Sequence, residues 1–124
     1  MKDKRHQLGR NSEQLASQYL QKNGYEIIQQ NYRTRQGEID IIARDNNTIV
    51  FVEVKARTST NYGHAVQALT RKQQIRLSKT ALIYLYKNKL LNQKVRFDVV
   101  AIQKNLQNSF DIRLIKNAFE FSTK

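Results

Sequence analysis

Apolar and polar positions alternate most regularly between Gly37 and Arg57, GEIDIIARDNNTIVFVEVKAR, where two runs rich in Ile and Val flank Asp45-Asn46-Asn47-Thr48. A period of two marks strands, and Asn tolerates the positive φ of a tight turn, so the segment reads as a β-hairpin. With Asn46 and Asn47 as the turn, Ile42 pairs with Phe51, Asp40 with Glu53, and Glu38 with Lys55. Successive side chains point to opposite faces. Glu38, Asp40, Ile42, Phe51, Glu53 and Lys55 therefore share one face, and Ile39, Ile41, Val50, Val52 and Val54 the other.

Upstream, residues 1–10 carry Lys2, Lys4, Arg5 and Arg10 without periodicity and are expected to form a mobile basic arm. Asn11 or Ser12 caps a helix running to about Asn23, which Gly24 closes, with Leu15, Ala16, Tyr19 and Leu20 as its apolar stripe. An extended segment, Tyr25 to Tyr32, leads into the hairpin. Past the hairpin comes a polar loop, Thr58 to Gly63, placed to contact a substrate; Tyr62 and His64 nearby are assigned no chemistry. A second helix is predicted from a cap at Thr70 to about Asn88, with Ile75, Leu77, Ala81, Leu82 and Leu85 on its apolar side. Strands at Val95–Ile102 and Phe110–Lys116 complete the pattern. Strand, helix, strand from Val50 to Ile102 is a crossover unit, which requires its two strands to lie parallel.

A chain of 124 residues suits one domain with an ordinary core. The absence of cysteine excludes a disulfide framework and a thiolate metal site. No apolar run suits a signal peptide or a membrane span, so a soluble cytoplasmic protein with no membrane partner is expected. Charge narrows the partner. There are 22 Lys and Arg against 10 Asp and Glu, a net of +12, which favours a polyanion. No acid occurs between Glu53 and Asp98, while ten basic residues do. Lys72, Arg76, Lys79 and Lys87 fall within about 80° of one another on the second helix, a ridge suited to tracking phosphates rather than reading bases.

The acids carry the candidate chemistry. Carboxylates directly opposite on a sheet sit about 5 Å apart and repel by about 3 kcal/mol at an effective dielectric of ~20. A divalent cation, the Lys55 ammonium, exposure to water or a shared proton offsets that repulsion. Glu13 lies about 20° from Leu20 around the first helix, at the edge of the apolar stripe. It either looks toward the sheet or serves as a first-turn acid against the helix dipole. If it faces the sheet, Glu13, Asp40 and Glu53 offer hard oxygen ligands for Mg²⁺ or Mn²⁺, with the Val54 carbonyl as a further ligand. Lys55 beside them would orient or deprotonate an attacking water, or stabilise developing charge. Asp98, an acid on an apolar face, is read as half of a structural ion pair with Arg57 or Arg96.

An acid in the first helix, Asp40 in one strand and Glu53-Val54-Lys55 in the next resemble the PD-(D/E)xK nuclease superfamily. More closely, GRNSEQLASQYL, NYRTRQGEIDIIARD, VFVEVKAR, ALTRKQ and RFDVVAI resemble the YraN family of small bacterial proteins, which is similar to archaeal Holliday junction resolvases. The resemblance spans Gly9 to Ile102. It implies a single restriction-endonuclease-like α/β domain, a central mixed β-sheet flanked by helices, and, because such resolvases act as dimers, a homodimer. It also implies that Arg57 and Lys72 contact substrate, a group to which the cationic ridge adds Arg76 and Lys79. One position departs from the superfamily pattern: Ile39 stands where a Pro often precedes the strand Asp. Two functional readings follow. One is a metal-dependent endonuclease acting on DNA, branched or flapped DNA included. The other is a nucleic-acid-binding protein, of DNA or of RNA and the ribosome, that keeps the acids for structure alone.

Overall fold

The computed structural model describes residues 4–57, 69–107 and 109–122, with side chains from Asn11 onward except that of Arg57. The elements are α1 (Lys4–Lys22), β1 (Glu26–Thr34), β2 (Gly37–Asp45), β3 (Thr48–Arg57), α2 (Arg71–Lys87), β4 (Lys94–Lys104) and β5 (Phe110–Phe119). The expected loop over 58–63, with Tyr62 and His64, lies outside the described residues.

The hairpin forms in the expected register, from Asp45↔Thr48 through Ile42↔Phe51 to Ile41↔Val52, around Asn46 at φ 55°. Five strands make one sheet in the order β1-β2-β3-β4-β5. β3 and β4 run parallel, as the crossover through α2 requires, and the other neighbours are antiparallel. The result is a mixed sheet with a helix packed on each face, the architecture expected from the sequence.

Each helix end has a local cause. Gly24, at φ 88°, closes α1 in a Schellman motif: Gly24 N–H donates to the Gln21 carbonyl at 3.1 Å and Tyr25 N–H to that of Leu20 at 2.9 Å. At the start of α2, Gln73 N–H donates to Thr70 Oγ1 at 3.1 Å while Thr70 N–H donates to Gln73 Oε1 at 3.0 Å, a reciprocal capping box. The other boundary differs from expectation. α1 begins at Lys4 rather than at Asn11 or Ser12, so the stretch expected as an arm is helical from Lys4 onward. Lys, Arg, Gln and Leu there are good helix formers, and only Gly9 opposes, at about 1 kcal/mol. Ser12, far from capping, is buried inside the helix.

Two cores result. On the α2 face Ile42, Phe51, Leu77, Ala81, Tyr84, Leu85, Phe97 and Val99 are buried together, and on the α1 face Ala16, Leu20, Ile41, Val50, Val52, Val100 and Ile102. Full burial of a side chain such as Phe51 or Leu20 contributes about 1.5–3 kcal/mol. The apolar side of α2 is narrower than predicted: Leu82 turns outward, and Tyr84 takes the inward place. Asp98 is wholly buried and paired structurally, with Arg96: Arg96 Nε donates to Asp98 Oδ1 at 2.9 Å and Tyr25 Oη to Oδ2 at 2.9 Å. Arg96 Nη2 also donates to Asp45 Oδ2 at 2.7 Å, and Asn117 N–H to Asp98 Oδ1 at 2.9 Å. The hairpin turn, β4, β5 and the entry to β1 are thereby joined on the α1 face.

Candidate active site

β2 and β3 stop pairing just before the acids. The ladder's last pair is Ile41↔Val52, and beyond it Val54 N–H donates to the Asp40 side chain, at Oδ2, 2.8 Å away. The expected ladder pairs Asp40–Glu53 and Glu38–Lys55 therefore do not form, because the Asp40 side chain stands in for the backbone acceptor and the strands fork. Alternation slips at the same place: Ile39, predicted to side with Ile41, packs with Ile42 against α2. The fork keeps the chemical groups together nonetheless. Asp40 and Glu53 hydrogen-bond to each other, Lys55 Nζ lies 4.0 Å from Glu53 Oε1, and Glu38, Glu53 and Lys55 line a cavity of about 160 Å³ with Arg76.

Both paired carboxyls are pushed above the usual carboxylate range. For Glu53, burial first, then the charge of Asp40 and the hydrogen bond to it, raise the pKa to about 9, against the pull of Lys55. Burial also raises Asp40, while Val54 N–H, the Glu53 hydrogen bond and Lys55 act the other way. Both shifts favour a proton shared between the two carboxyls in the metal-free protein. Of the four ways to relieve their repulsion, the metal-free protein uses the shared proton and, in part, Lys55.

Glu13 faces the sheet. Burial, then the charges of Asp40 and Glu38, raise its pKa, and a hydrogen bond from Asn31 opposes them. Asn31 occupies the left-handed region, at φ 56°, within β1. Its amide nitrogen, oriented to donate, lies 3.1 Å from Glu13 Oε2 and 3.3 Å from Glu38 Oε1. Glu38 Oε1 also accepts from Arg33 Nε at 3.1 Å. Asn31 and Glu38 thus belong to the acidic group, and neither was singled out as a site residue from the sequence. The signal for Asn31 was an Asn in the middle of a strand, where it is disfavoured.

The cationic ridge borders this group. Lys72, Arg76 and Lys79 line a cleft of about 710 Å³ between α2 and the β1–β2 turn, together with Arg35 and Arg71, which the sequence reading did not select. Arg76 and Gly37 belong to both the cleft and the smaller cavity. The Arg57 side chain lies outside the described residues.

The donor chemistry suits a hard divalent cation. Asp40 and Glu53 are desolvated, mutually repelling carboxyls held together by one proton, and Glu13 stands beside Asp40. Among the described residues no three His, Cys, Asp or Glu gather tightly enough to form a ready-made centre, and no helix is long and apolar enough to cross a membrane.

A mixed sheet between helices, with acids from a helix and two strands beside a Glu-x-Lys lysine, places the chain among nuclease-like α/β proteins. Residues 12–102 match the uncharacterised protein family UPF0102. The chain belongs to this family, the YraN family of the motif resemblance. Relatives include a UPF0102 protein of Syntrophus aciditrophicus, 50% identical over 92% of this chain and 89% of its own length. Another, from Caldicellulosiruptor saccharolyticus, is 46% identical over 91% of this chain and 97% of its own. Among solved structures, Pyrococcus furiosus SfsA in complex with Ca²⁺ covers 90% of this chain and 63% of its own, at 14% identity and a TM-score of 0.41.

Proposed function

We propose that the protein is a metal-dependent endonuclease that hydrolyses DNA phosphodiester bonds, with branched and flapped DNA the first substrates to test. The observation that supports this is the fork between β2 and β3: it spends a backbone hydrogen bond to hold Asp40 against Glu53, beside Lys55 and next to a basic cleft. A structural role alone gives no reason to bury two carboxyls against each other.

Asp40, Glu53 and Glu13 would hold Mg²⁺ or Mn²⁺, with the Val54 carbonyl completing the set. The bound ion supplies Lewis acidity toward a phosphoryl oxygen. Lys55 orients the attacking water and counters the charge that develops on the phosphate. Arg76, at the junction of the two cavities, holds the phosphate in place, and Lys72, Lys79 and Arg57 contact the flanking backbone. Asn31 keeps Glu13 turned toward Asp40.

The second reading, binding of DNA or RNA without cleavage, is favoured by the absence of a tightly gathered centre among the described residues. Linear, flap and four-way-junction DNAs incubated with Mg²⁺ or Mn²⁺ separate the two. Cleavage lost in Glu53→Gln and Lys55→Ala with binding retained supports the nuclease. A panel left intact with both metals transfers the function to binding alone.

A further inference from the structure

The cleft beside the acids has two walls, and cations stand on both. Arg35 projects from the turn between β1 and β2, and Arg71, Lys72, Arg76 and Lys79 from the facing side of α2. All five are exposed, no described carboxylate ion-pairs with any of them, and among the described residues no acid or aromatic side chain lines the cleft. Five like charges without counter-charges around one hollow repel one another, and a polyanion inside relieves them. Guanidinium and ammonium groups on both walls bind phosphates rather than read bases, so the ligand is held by its backbone.

The dimensions select a single strand. From Arg71 to Lys79 the helix advances about 12 Å at ~1.5 Å per residue, a length that matches a short run of phosphates of one strand. A volume of about 710 Å³ is that of a small-molecule pocket. A duplex is too thick to lie between the two walls. The floor is continuous with the acids through Gly37 and Arg76. Gly37 permits this closeness, since a Cβ there would lie 3.2 Å from Thr80 Oγ1 and 3.6 Å from Arg76 Cβ.

We infer that the cleft between the β1–β2 turn and α2 is a channel for the backbone of a short single-stranded DNA segment running up to the scissile phosphate. This rests on the nuclease reading, and it narrows the substrate to DNA with a single-stranded tail or gap next to the cut.

The test uses the full chain carrying Glu53→Gln, without metal, and fluorescence anisotropy with three labelled probes: a blunt duplex, the same duplex with a six-nucleotide tail, and the same tailed duplex with the tail in RNA. The tailed DNA duplex is expected to bind at least tenfold more tightly than the blunt one. Adding Arg35→Glu or Arg71→Glu should weaken tailed-duplex binding at least tenfold more than blunt-duplex binding, whose loss should not exceed that of a control charge reversal. Lys94→Glu, an equal charge change at an exposed position away from the cleft, should lower both equally. Equal binding of tailed and blunt DNA, or equal losses in the cleft variants, overturns the channel, and so does capture of the RNA tail in preference to the DNA tail. Wild-type protein with Mn²⁺ then separates the two ideas. Tail-dependent binding without cleavage sinks the nuclease and leaves the channel, whereas cleavage indifferent to tails does the reverse.

Discussion

Glu53→Gln is expected to stabilise the metal-free protein above neutral pH, because it removes a charge from the most crowded acidic position in the fold. The Glu53 carboxyl, only 18% exposed, titrates at about 9 in the folded protein, against about 4.3 in an unfolded chain. Between those values the folded state binds a proton that the unfolded state does not, so stability falls as pH rises. The benefit is complete below the unfolded value and is gone above the folded one. The slope reaches about 1.4 kcal/mol per pH unit for one proton. Between pH 6 and 8 that gives a loss of roughly 2–3 kcal/mol, or about 10 °C in Tm for a domain of this size. The variant's amide keeps the hydrogen bond to Asp40 but carries no titrating proton, so its curve should be much flatter. Thermal melts in EDTA at pH 6, 7 and 8 measure the difference. Saturating Mn²⁺ should then raise the wild-type Tm, by about 2.7 kcal/mol of stability at a hundredfold excess over Kd, and leave the variant nearly unmoved. Parallel Tm–pH curves for the two proteins would refute the shared-proton argument.

Asn31→Gly keeps the left-handed backbone but deletes the amide bonds to Glu13 and Glu38. It should leave the urea midpoint close to wild type and weaken Mn²⁺ binding about tenfold, a loss of roughly one hydrogen bond to a charged group; calorimetry showing unchanged affinity would remove Asn31 from the site. Gly37→Ala forces a methyl group against Thr80 and should cost about 1–3 kcal/mol in urea unfolding. A change below about 0.5 kcal/mol would mean that the turn lifts off α2 freely. Asp98→Ala leaves buried Tyr25 without its acceptor and half-buried Arg96 with Asp45 alone, and should cost about 1–3 kcal/mol. A cost under about 1 kcal/mol would show that water replaces the carboxylate.

The hairpin, the crossover, the Thr70 cap and the Gly24 stop were readable because each depends on a few adjacent residues. The period-two run fixes the face of Phe51, and Thr70 with Gln73 makes its cap within one turn. Ile39 was misplaced because alternation assumes an unbroken ladder, and the break comes from a side chain replacing a backbone acceptor, which no period reveals. The start of α1 is masked in the sequence because Asn11 and Ser12 mimic a helix cap, while Lys4 to Arg10 signal a helix through propensity alone. Asp40, Glu53 and Lys55 were legible from strand spacing. Asn31 and Glu38 were not selected, because their part depends on how β1 curves past α1, a tertiary matter. Arg35 and Arg71 joined the ridge only once the turn was seen to face the helix.

The knot around buried Asp98, tied by Arg96, Tyr25, Asp45 and the Asn117 main chain, sits below the point where β2 and β3 part. It works like the rivet of a pair of pliers, whose jaws spread without loosening the handles. Selection can therefore exchange acids at the jaw tips, tuning or even silencing the chemistry, while the rest of the sheet stays clamped. Under the proposed function, a change from cutting to merely gripping a nucleic acid needs only a change or two at the tips and no new fold.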